Sequence, residues 1–221
     1  MPAERTGARR PPVESDASRE GVLETLQATL IVLAGGQSVR MGRSKAALEI
    51  GAGSLLGAVI RRLEGAFAEA LVGGLSGPPP SDVTVPIVPD LREGAGPLAG
   101  IEAGLRASAH LRAFVVGCDM PGVTPALGRL LIRLLAGNDA AVVRINGRPE
   151  PVCAAYGATS LRAISAYLDA GQRRAADVLD RLVVRFVDER ELVAAGIDVA
   201  TLVNLNTPDE YEAFKARLGH S

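Results

Sequence analysis

The sequence has no tryptophan, only two cysteines and two histidines, and 3% aromatic residues. So few aromatics argue against a surface that stacks single-stranded bases, and a net charge of −1 argues against nucleic-acid binding in general. Cys118 and Cys153 lack the spacing of a metal motif and are typical of reduced thiols in the cytoplasm. His110 and His220 are not placed for a Ser-His-Asp triad or a zinc hydrolase site. The chemistry must therefore use carboxylates, cations and backbone amides, with or without a metal.

The sequence also lacks an apolar segment long enough for a signal peptide or a membrane span. Residues 1–27 alternate charged residues with proline, serine and glycine, which predicts a disordered amino-terminal extension. Hydrophobic residues make up 48% of the chain and charged residues 22%, as in globular proteins, and the length favours one domain over residues 28–221. We therefore expect a cytoplasmic protein that binds neither membranes nor nucleic acid.

Short apolar runs alternate with helical patterns through this domain, which predicts an α/β fold. We expect a single Rossmann-like three-layer domain, with a mainly parallel sheet and helices on both faces. Ligands of such sheets bind outside the carboxyl ends of the strands. Strands are predicted over residues 29–33, 69–74, 83–90 (an edge strand, because of its prolines), 112–119, 139–145, 149–156 and 183–189. Helices are predicted over residues 54–66, 96–108, 125–136, 160–170 and 174–182, with a last helix after a capping box at Thr207 and Glu210.

The stretch TLIVLAGGQSVRMGRSK, residues 29–45, is a strand followed by a glycine-rich loop with the cations Arg40, Arg43 and Lys45. It is not a nucleotide P-loop, because Lys45 lies three residues after Gly42 and no serine or threonine follows it. It is not a dinucleotide fingerprint either, because its first two glycines are adjacent. A turn without a ligand would need no such charge. The loop is therefore predicted to hold phosphate through backbone N–H groups and cations.

Four motifs together carry a resemblance to a known family. The loop resembles the signature loop of the nucleotidyltransferase superfamily in Leu33-Ala34-Gly35-Gly36, Arg40-Met41-Gly42 and Lys45-Ala46. The segments GPLAGI (96–101), CDMP (118–121) and LVNLNTPDE (202–210) follow in the expected order and spacing. In this combination the chain resembles the molybdenum cofactor guanylyltransferases from about residue 29 to residue 218.

The resemblance implies transfer of GMP from GTP to the phosphate of molybdopterin, with release of pyrophosphate. GTP and molybdopterin would be the substrates and Mg²⁺ the cofactor, with transient contact to molybdenum-insertion proteins or molybdoenzymes as a further expectation. A relative that uses CTP or another small phosphate acceptor remains an alternative, as does a non-catalytic nucleotide-binding accessory protein. The second glycine of AGG and the GPLAG segment favour GTP.

The resemblance also implies roles for individual residues. Arg40, Lys45 and Asp119 would be catalytic, and Asp119 would hold the metal. The implied nucleotide-binding residues are Leu33, Ala34, Gly35, Gly36, Lys45, Gly73, Asp90 and Asp119. The implied acceptor-binding residues are Arg173, Arg174, Asn204 and Asn206.

Some of these assignments have competing interpretations. Asp119 could instead cap the segment after it, and Arg173 and Arg174 could belong to a solvated helix end. Ser44 stands where family members often have aspartate, and Gly73 stands where they have a nucleotide-contacting asparagine. The loss of that asparagine leaves the affinity for nucleotide open.

Overall fold

A computed structural model describes residues 24–35, 44–92 and 94–218 of the chain. The predicted extension up to residue 23 and the loop residues 36–43, which include Gly36, Arg40 and Arg43, lie outside the described residues. In the described part, no helix is both long and apolar enough to cross a bilayer.

Within these residues the chain alternates strands and helices, as the sequence predicts. The strands are β1 (Leu26–Leu33), β2 (Glu49–Ile50), β3 (Gly53–Ser54), β4 (Phe67–Gly73), β5 (Ile87–Val88), β6 (Arg112–Gly117), β7 (Ala140–Ile145), β8 (Arg148–Gly157) and β9 (Val184–Asp188). The α-helices are α1 (Leu55–Leu63), α2 (Pro97–Ala107), α3 (Pro125–Leu134), α4 (Ser160–Asp169), α5 (Glu189–Ala194) and α6 (Pro208–Leu218).

Seven strands form one sheet in the order β5-β4-β1-β6-β8-β7-β9. The pairs β5–β4, β4–β1, β1–β6 and β7–β9 are parallel, and β8 is antiparallel to both of its neighbours. The chain passes from β1 to β4 and β5 on one side and then crosses to β6 on the other side. This change of direction at β1 is where ligands bind in open α/β sheets.

Helices cover both faces of the sheet, which confirms the predicted three-layer class. In β1, Leu30 and Val32 point into the core under α1, α3 and α5, whereas Ile31 and Leu33 point into the core under α2 and α4. Because both faces of a strand are buried, its sequence is a continuous apolar run. A small third cluster joins Tyr211 of α6 to the hairpin β2–β3 and to α1.

Several boundaries differ from the predictions. β1 begins at Leu26, so residues 26 and 27 belong to the sheet and not to the extension, because Leu26 pairs with Phe67. The edge strand predicted over residues 83–90 is only the two residues of β5. The helix predicted over residues 174–182 is wrong, since the chain forms a short 3₁₀ helix at Asp177–Arg181. The hairpin β2–β3 and helix α5 were not predicted.

Candidate active site

The carboxyl ends of β1, β4 and β6 meet at one edge of the sheet, as expected for parallel neighbours. The backbone N–H of Ala34 donates to the carbonyl of Gly73 over 2.9 Å, and that of Cys118 donates to the carbonyl of Leu33 over 2.9 Å. Leu33 and Ala34 are buried, and Gly35 is exposed beyond them. The signature loop therefore starts from a fixed position between two strand ends.

The predicted nucleotide-binding glycines are packed backbone against backbone. A Cβ atom built on Gly35 would lie 2.5 Å from the carbonyl oxygen of Gly74. One built on Gly73 would lie 2.8 Å from the carbonyl oxygen of Gly100 in α2. Real Cβ atoms do not approach a carbonyl so closely, so these positions require glycine. At Gly73, α2 leaves no room for the asparagine side chain that the resemblance implies at this position.

Lys45, Asp119 and Asn206 come together at this edge from three distant parts of the chain. Lys45 begins a 3₁₀ helix that ends at Ala47, and Asp119 lies two residues beyond β6. The Lys45 Nζ donates to Asp119 Oδ2 over 3.1 Å and to Asn206 Oδ1 over 2.8 Å. Both charged side chains are mostly buried, with 16% exposure for Lys45 and 24% for Asp119. Their attraction is therefore screened less than that of a surface pair.

The capping box of α6 holds Asn206 in place. The Glu210 carboxylate accepts from the backbone N–H groups of Asn206 and Thr207 over 2.7 and 2.9 Å. The Glu210 N–H donates to the Thr207 hydroxyl over 3.2 Å, which confirms the predicted box. The two backbone hydrogen bonds lower the pKa of Glu210. The Leu205 N–H also donates to the Asp119 backbone carbonyl over 2.8 Å. This hydrogen bond joins the segment that contains Asn204 and Asn206 directly to Asp119, the predicted metal ligand.

Glu150 belongs to the same site, although the sequence did not identify it. The pKa of Glu150 is raised, because burial and the charge of Asp119 outweigh the hydrogen bond with the Asn204 side chain, which lowers it. The register of β6 and β8 explains why Glu150 lies near Asp119. Val116 is paired with Cys153, and because the strands are antiparallel, three residues further along β6 lie opposite three residues back along β8, which brings Glu150 opposite Asp119. The sequence showed a carboxylate in the segment PEP, but nothing in it revealed that β8 runs antiparallel beside β6.

Asn204 and Asp90 each present an oxygen without a partner. Among the described residues, the Oδ1 atoms of both are buried without a hydrogen-bond partner. Burial raises the pKa of Asp90, and a hydrogen bond from the backbone of Gly74 offsets part of the rise. A Cβ atom on Gly74 would lie 3.7 Å from this Asp90 oxygen, so the carboxylate sits beside the Gly35–Gly74 contact. Buried oxygens without a partner are costly, and they suit a ligand that supplies donors or positive charge.

The structure does not bring Arg173 and Arg174 into contact with Lys45 or Asp119. They follow α4, at the helix end nearer the carboxyl edge of the sheet. The Arg173 Nη1 donates to the carbonyls of Leu168 and Gln172, each over 3.1 Å. Arg174 pairs with Asp177 at 3.6 Å, and its side chain is 80% exposed. A role for these two arginines stays a prediction.

The carboxyl edge of the sheet fits a metal that is shared with a substrate. Among the described residues, no group of three or more histidine, cysteine, aspartate or glutamate side chains could hold a metal alone. Mg²⁺ does not need one, because it binds through one or two carboxylates together with phosphate oxygens and waters. Asp119 supplies a carboxylate, and the partnerless Oδ1 of Asn204 is a second hard oxygen. These residues fit Mg²⁺ bound jointly with a triphosphate.

Comparison with known proteins agrees with this geometry. The sequence profile of the MobA-like NTP transferase domain matches residues 30–186. The chain belongs to this family. The chain is similar to two curated proteins that carry the name "Probable molybdenum cofactor guanylyltransferase", one from Pelotomaculum thermopropionicum and one from Mycobacterium ulcerans. The first is 39% identical over 84% of this chain and 90% of its own length, and the second is 36% identical over 86% and 94%.

Solved structures share the family fold. The crystal structure of molybdopterin-guanine dinucleotide biosynthesis protein A from Archaeoglobus fulgidus superposes with a TM-score of 0.74 at 25% identity, covering 87% of this chain and all of that one. The 2-C-methyl-D-erythritol 4-phosphate cytidylyltransferase from Thermus thermophilus has a TM-score of 0.65 at 17% identity, over 85% and 97% of the two chains. The second similarity shows the fold alone.

Proposed function

We propose that the protein is a molybdenum cofactor guanylyltransferase, which transfers GMP from GTP to the phosphate of molybdopterin. The observation that supports this proposal most directly is that Lys45 contacts both Asp119 and Asn206 at the carboxyl edge of the sheet. The names of the relatives at 36% and 39% identity support the choice of substrates. The cytoplasmic location that we expect is supported by Cys118 and Cys153, which are both buried free thiols.

The reaction exchanges one P–O bond for another. An oxygen of the acceptor phosphate attacks the α-phosphorus of GTP and forms the new bond. The bond from the α-phosphorus to the bridging oxygen breaks, and its electron pair leaves with pyrophosphate. The nucleophile is already an anion, so no histidine base is required. His110 lies in the turn before β6, at the opposite edge of the sheet, which agrees with a mechanism that depends on position and charge.

The residues of the edge divide between the two substrates. An ammonium has three N–H donors, so Lys45 can contact a phosphate oxygen while keeping Asp119 and Asn206. The exposed backbone of Gly35 and the Asp90 carboxylate would face the nucleotide. Asn204, which borders the metal position, would also face the acceptor, together with Asn206, Arg173 and Arg174. Gly36 and Arg40 keep their predicted roles toward the triphosphate.

Asp119 would hold Mg²⁺, with the Asn204 side-chain oxygen beside it. The bound ion would offset the charge that develops on the departing pyrophosphate. Lys45, whose ammonium lies 3.1 Å from the Asp119 carboxylate, would add a second positive charge on the same side. The Lys45 ammonium and the Asp119 carboxylate are therefore already held together before the substrate binds.

Replacing Asp119 with asparagine tests the assignment. We expect kcat/KM for pyrophosphate release to fall by about 10²–10³-fold, as when one stabilising group of a transition state is lost. The measurement follows pyrophosphate released from GTP in the presence of molybdopterin over a range of Mg²⁺ concentrations. The matched control is Asp188→Asn, because Asp188 also pairs with a cation, Arg144 at 2.7 Å, but on the edge strand β9, three strands away from β6. Full Mg²⁺-dependent activity in Asp119→Asn would refute the proposal.

A further inference from the structure

Glu102, in the middle of α2, is a carboxylate with no exposure to solvent. Its Oε2 accepts from Arg92 Nε over 2.8 Å. Its Oε1 accepts from the Ser165 hydroxyl over 2.7 Å and from Arg106 Nη2 over 3.2 Å. A buried charge is tolerated only when it is paired and hydrogen-bonded in this way. None of these residues belongs to the reaction described above, so the cluster calls for a separate explanation.

Glu102 carries its charge at neutral pH. Burial alone would raise its pKa, but the hydrogen bonds from Arg92, Ser165 and Arg106 outweigh burial and lower the pKa to about 2. The cluster therefore contains a permanent ion pair with Arg92, and the bidentate geometry fixes the orientation of the guanidinium.

Arg92 also reaches a second helix. Its Nη1 contacts Asp169 Oδ1 at 2.8 Å, while Nε and Nη2 contact Glu102 at 2.8 and 3.4 Å. Asp169 is the last residue of α4, where the helix dipole disfavours a carboxylate and a neighbouring cation offsets the cost. We call Arg92, Glu102 and Asp169 the Arg92 brace. It joins the segment after β5 to α2 and α4 at once.

The brace acts on the segment that carries Asp90. Arg92 lies two residues after Asp90, in irregular chain beyond β5, which has only two residues and offers few sheet hydrogen bonds. The Arg92 carbonyl also accepts from the N–H of Ala95, just before α2. On the other side, the Asp90 carboxylate rests against Gly74. The brace therefore holds one end of the segment and Gly74 holds the other.

We infer that Arg92 is a positioning residue for the nucleotide, which acts by fixing residues 89–92 so that Asp90 faces the Gly35–Gly74 edge. The inference rests on the proposed function, because Asp90 is assigned to the nucleotide there. The guanidinium of Arg92 is engaged by Glu102 and Asp169. Its action passes through the backbone of its own segment.

Fold stability alone does not account for such a brace. Replacing a buried ion pair with apolar residues of similar volume is often neutral or stabilising, whereas removing one partner leaves an uncompensated charge. An ion pair that served only packing could therefore be exchanged for apolar residues without loss. Fixing an irregular segment differs, because it needs the three directed hydrogen bonds that Arg92 makes.

The test is the double variant Arg92→Met/Glu102→Leu, which removes both charges together and so preserves folding. We expect its Tm to stay close to that of the wild type. We expect about tenfold weaker binding of the non-transferable analogue guanosine 5′-(α,β-methylene)triphosphate, since small displacements of a binding group cost that much or more. Calorimetry measures the binding, and hydrogen exchange of the free protein measures whether the amides of residues 90–92 open faster. Arg92→Lys cannot make all three contacts, so its affinity for the analogue should lie between those of the wild type and the double variant.

The matched control is Arg144→Met/Asp188→Leu, which likewise replaces an arginine–carboxylate pair with Met and Leu, and it should bind the analogue as the wild type does. Wild-type affinity and unchanged exchange in the brace variant would overturn the inference. A wild-type protein that does not bind the analogue would instead overturn the proposed function, and the inference with it.

Discussion

Gly73 shows how one residue serves both packing and the site. Its Cα lies so close to α2 that a Cβ atom would stand 2.8 Å from the Gly100 carbonyl oxygen. Gly73→Ala should therefore lower the free energy of unfolding by about 1–3 kcal/mol, since the helix must move to admit the methyl group. Urea denaturation measures the change. Gly65→Ala is the matched control, because Gly65 has no atom within 4 Å of its Cβ position. An unchanged midpoint for Gly73→Ala would contradict the account.

At the residue scale the sequence predicted part of the site. The motifs named Lys45, Asp119 and Asn206, and the structure brings these three together. They did not name Glu150, because its place beside Asp119 depends on an antiparallel strand pairing across about thirty residues of chain. They also could not explain why residue 73 is glycine, because a side chain there would collide with the backbone carbonyl of Gly100, which lies in a later helix. Short-range patterns identify the chemistry, whereas such contacts depend on tertiary packing.

At the element scale, the start of α6 links helix stability to the site. Glu210 holds the backbone N–H groups of Asn206 and Thr207, and Asn206 in turn contacts Lys45. Glu210→Ala should lower the Tm by about 2–4 °C, as loss of a cap does in a chain of this size, and should also lower kcat/KM. Thermal unfolding and pyrophosphate release measure the two effects.

The control lies two residues further along the same helix. Glu212 pairs with Lys215 at 3.7 Å on the surface, so Glu212→Ala should change neither quantity measurably. Equal effects of the two substitutions would mean that α6 contributes only general stability.

The elements with a strong repeating pattern were predicted, and the weak ones were not. α1 and α3 were found within a few residues because their apolar positions recur on one face. The predicted helix over residues 174–182 failed, because only Val178 and Leu179 are buried there and two adjacent residues cannot form a helical face. Hairpin β2–β3 is too short to show alternation and depends on contacts with α6.

At the scale of the whole molecule, Glu102 makes stability depend on pH. Folding lowers its pKa from the usual 4.5 to about 2, so the folded state binds fewer protons than the unfolded state in that range. Its contribution is complete above pH 4.5 and is lost as the pH falls toward 2. Arg92→Met/Glu102→Leu should therefore lose less free energy of unfolding over this range, by about 2 kcal/mol. Denaturant curves at several pH values measure the difference, and parallel pH profiles would contradict it.

The whole architecture was the most predictable level. Apolar runs separated by helical patterns predicted a mainly parallel sheet covered on both faces, and the sheet has that form. The antiparallel β8 could not be predicted, because its apolar composition is that of a buried strand in either direction. It is this strand that brings Glu150 to the edge, so the unpredictable part of the fold is also the unpredicted part of the site.

The most direct test of the central claim is a competition between nucleotides. The protein is incubated with molybdopterin, Mg²⁺ and equal concentrations of GTP and CTP, and mass spectrometry identifies the nucleotide joined to the pterin phosphate. The account predicts the guanine dinucleotide as the main product, formed in equal amount to the pyrophosphate released. Preferential transfer of CMP, or no transfer from either nucleotide, would contradict it.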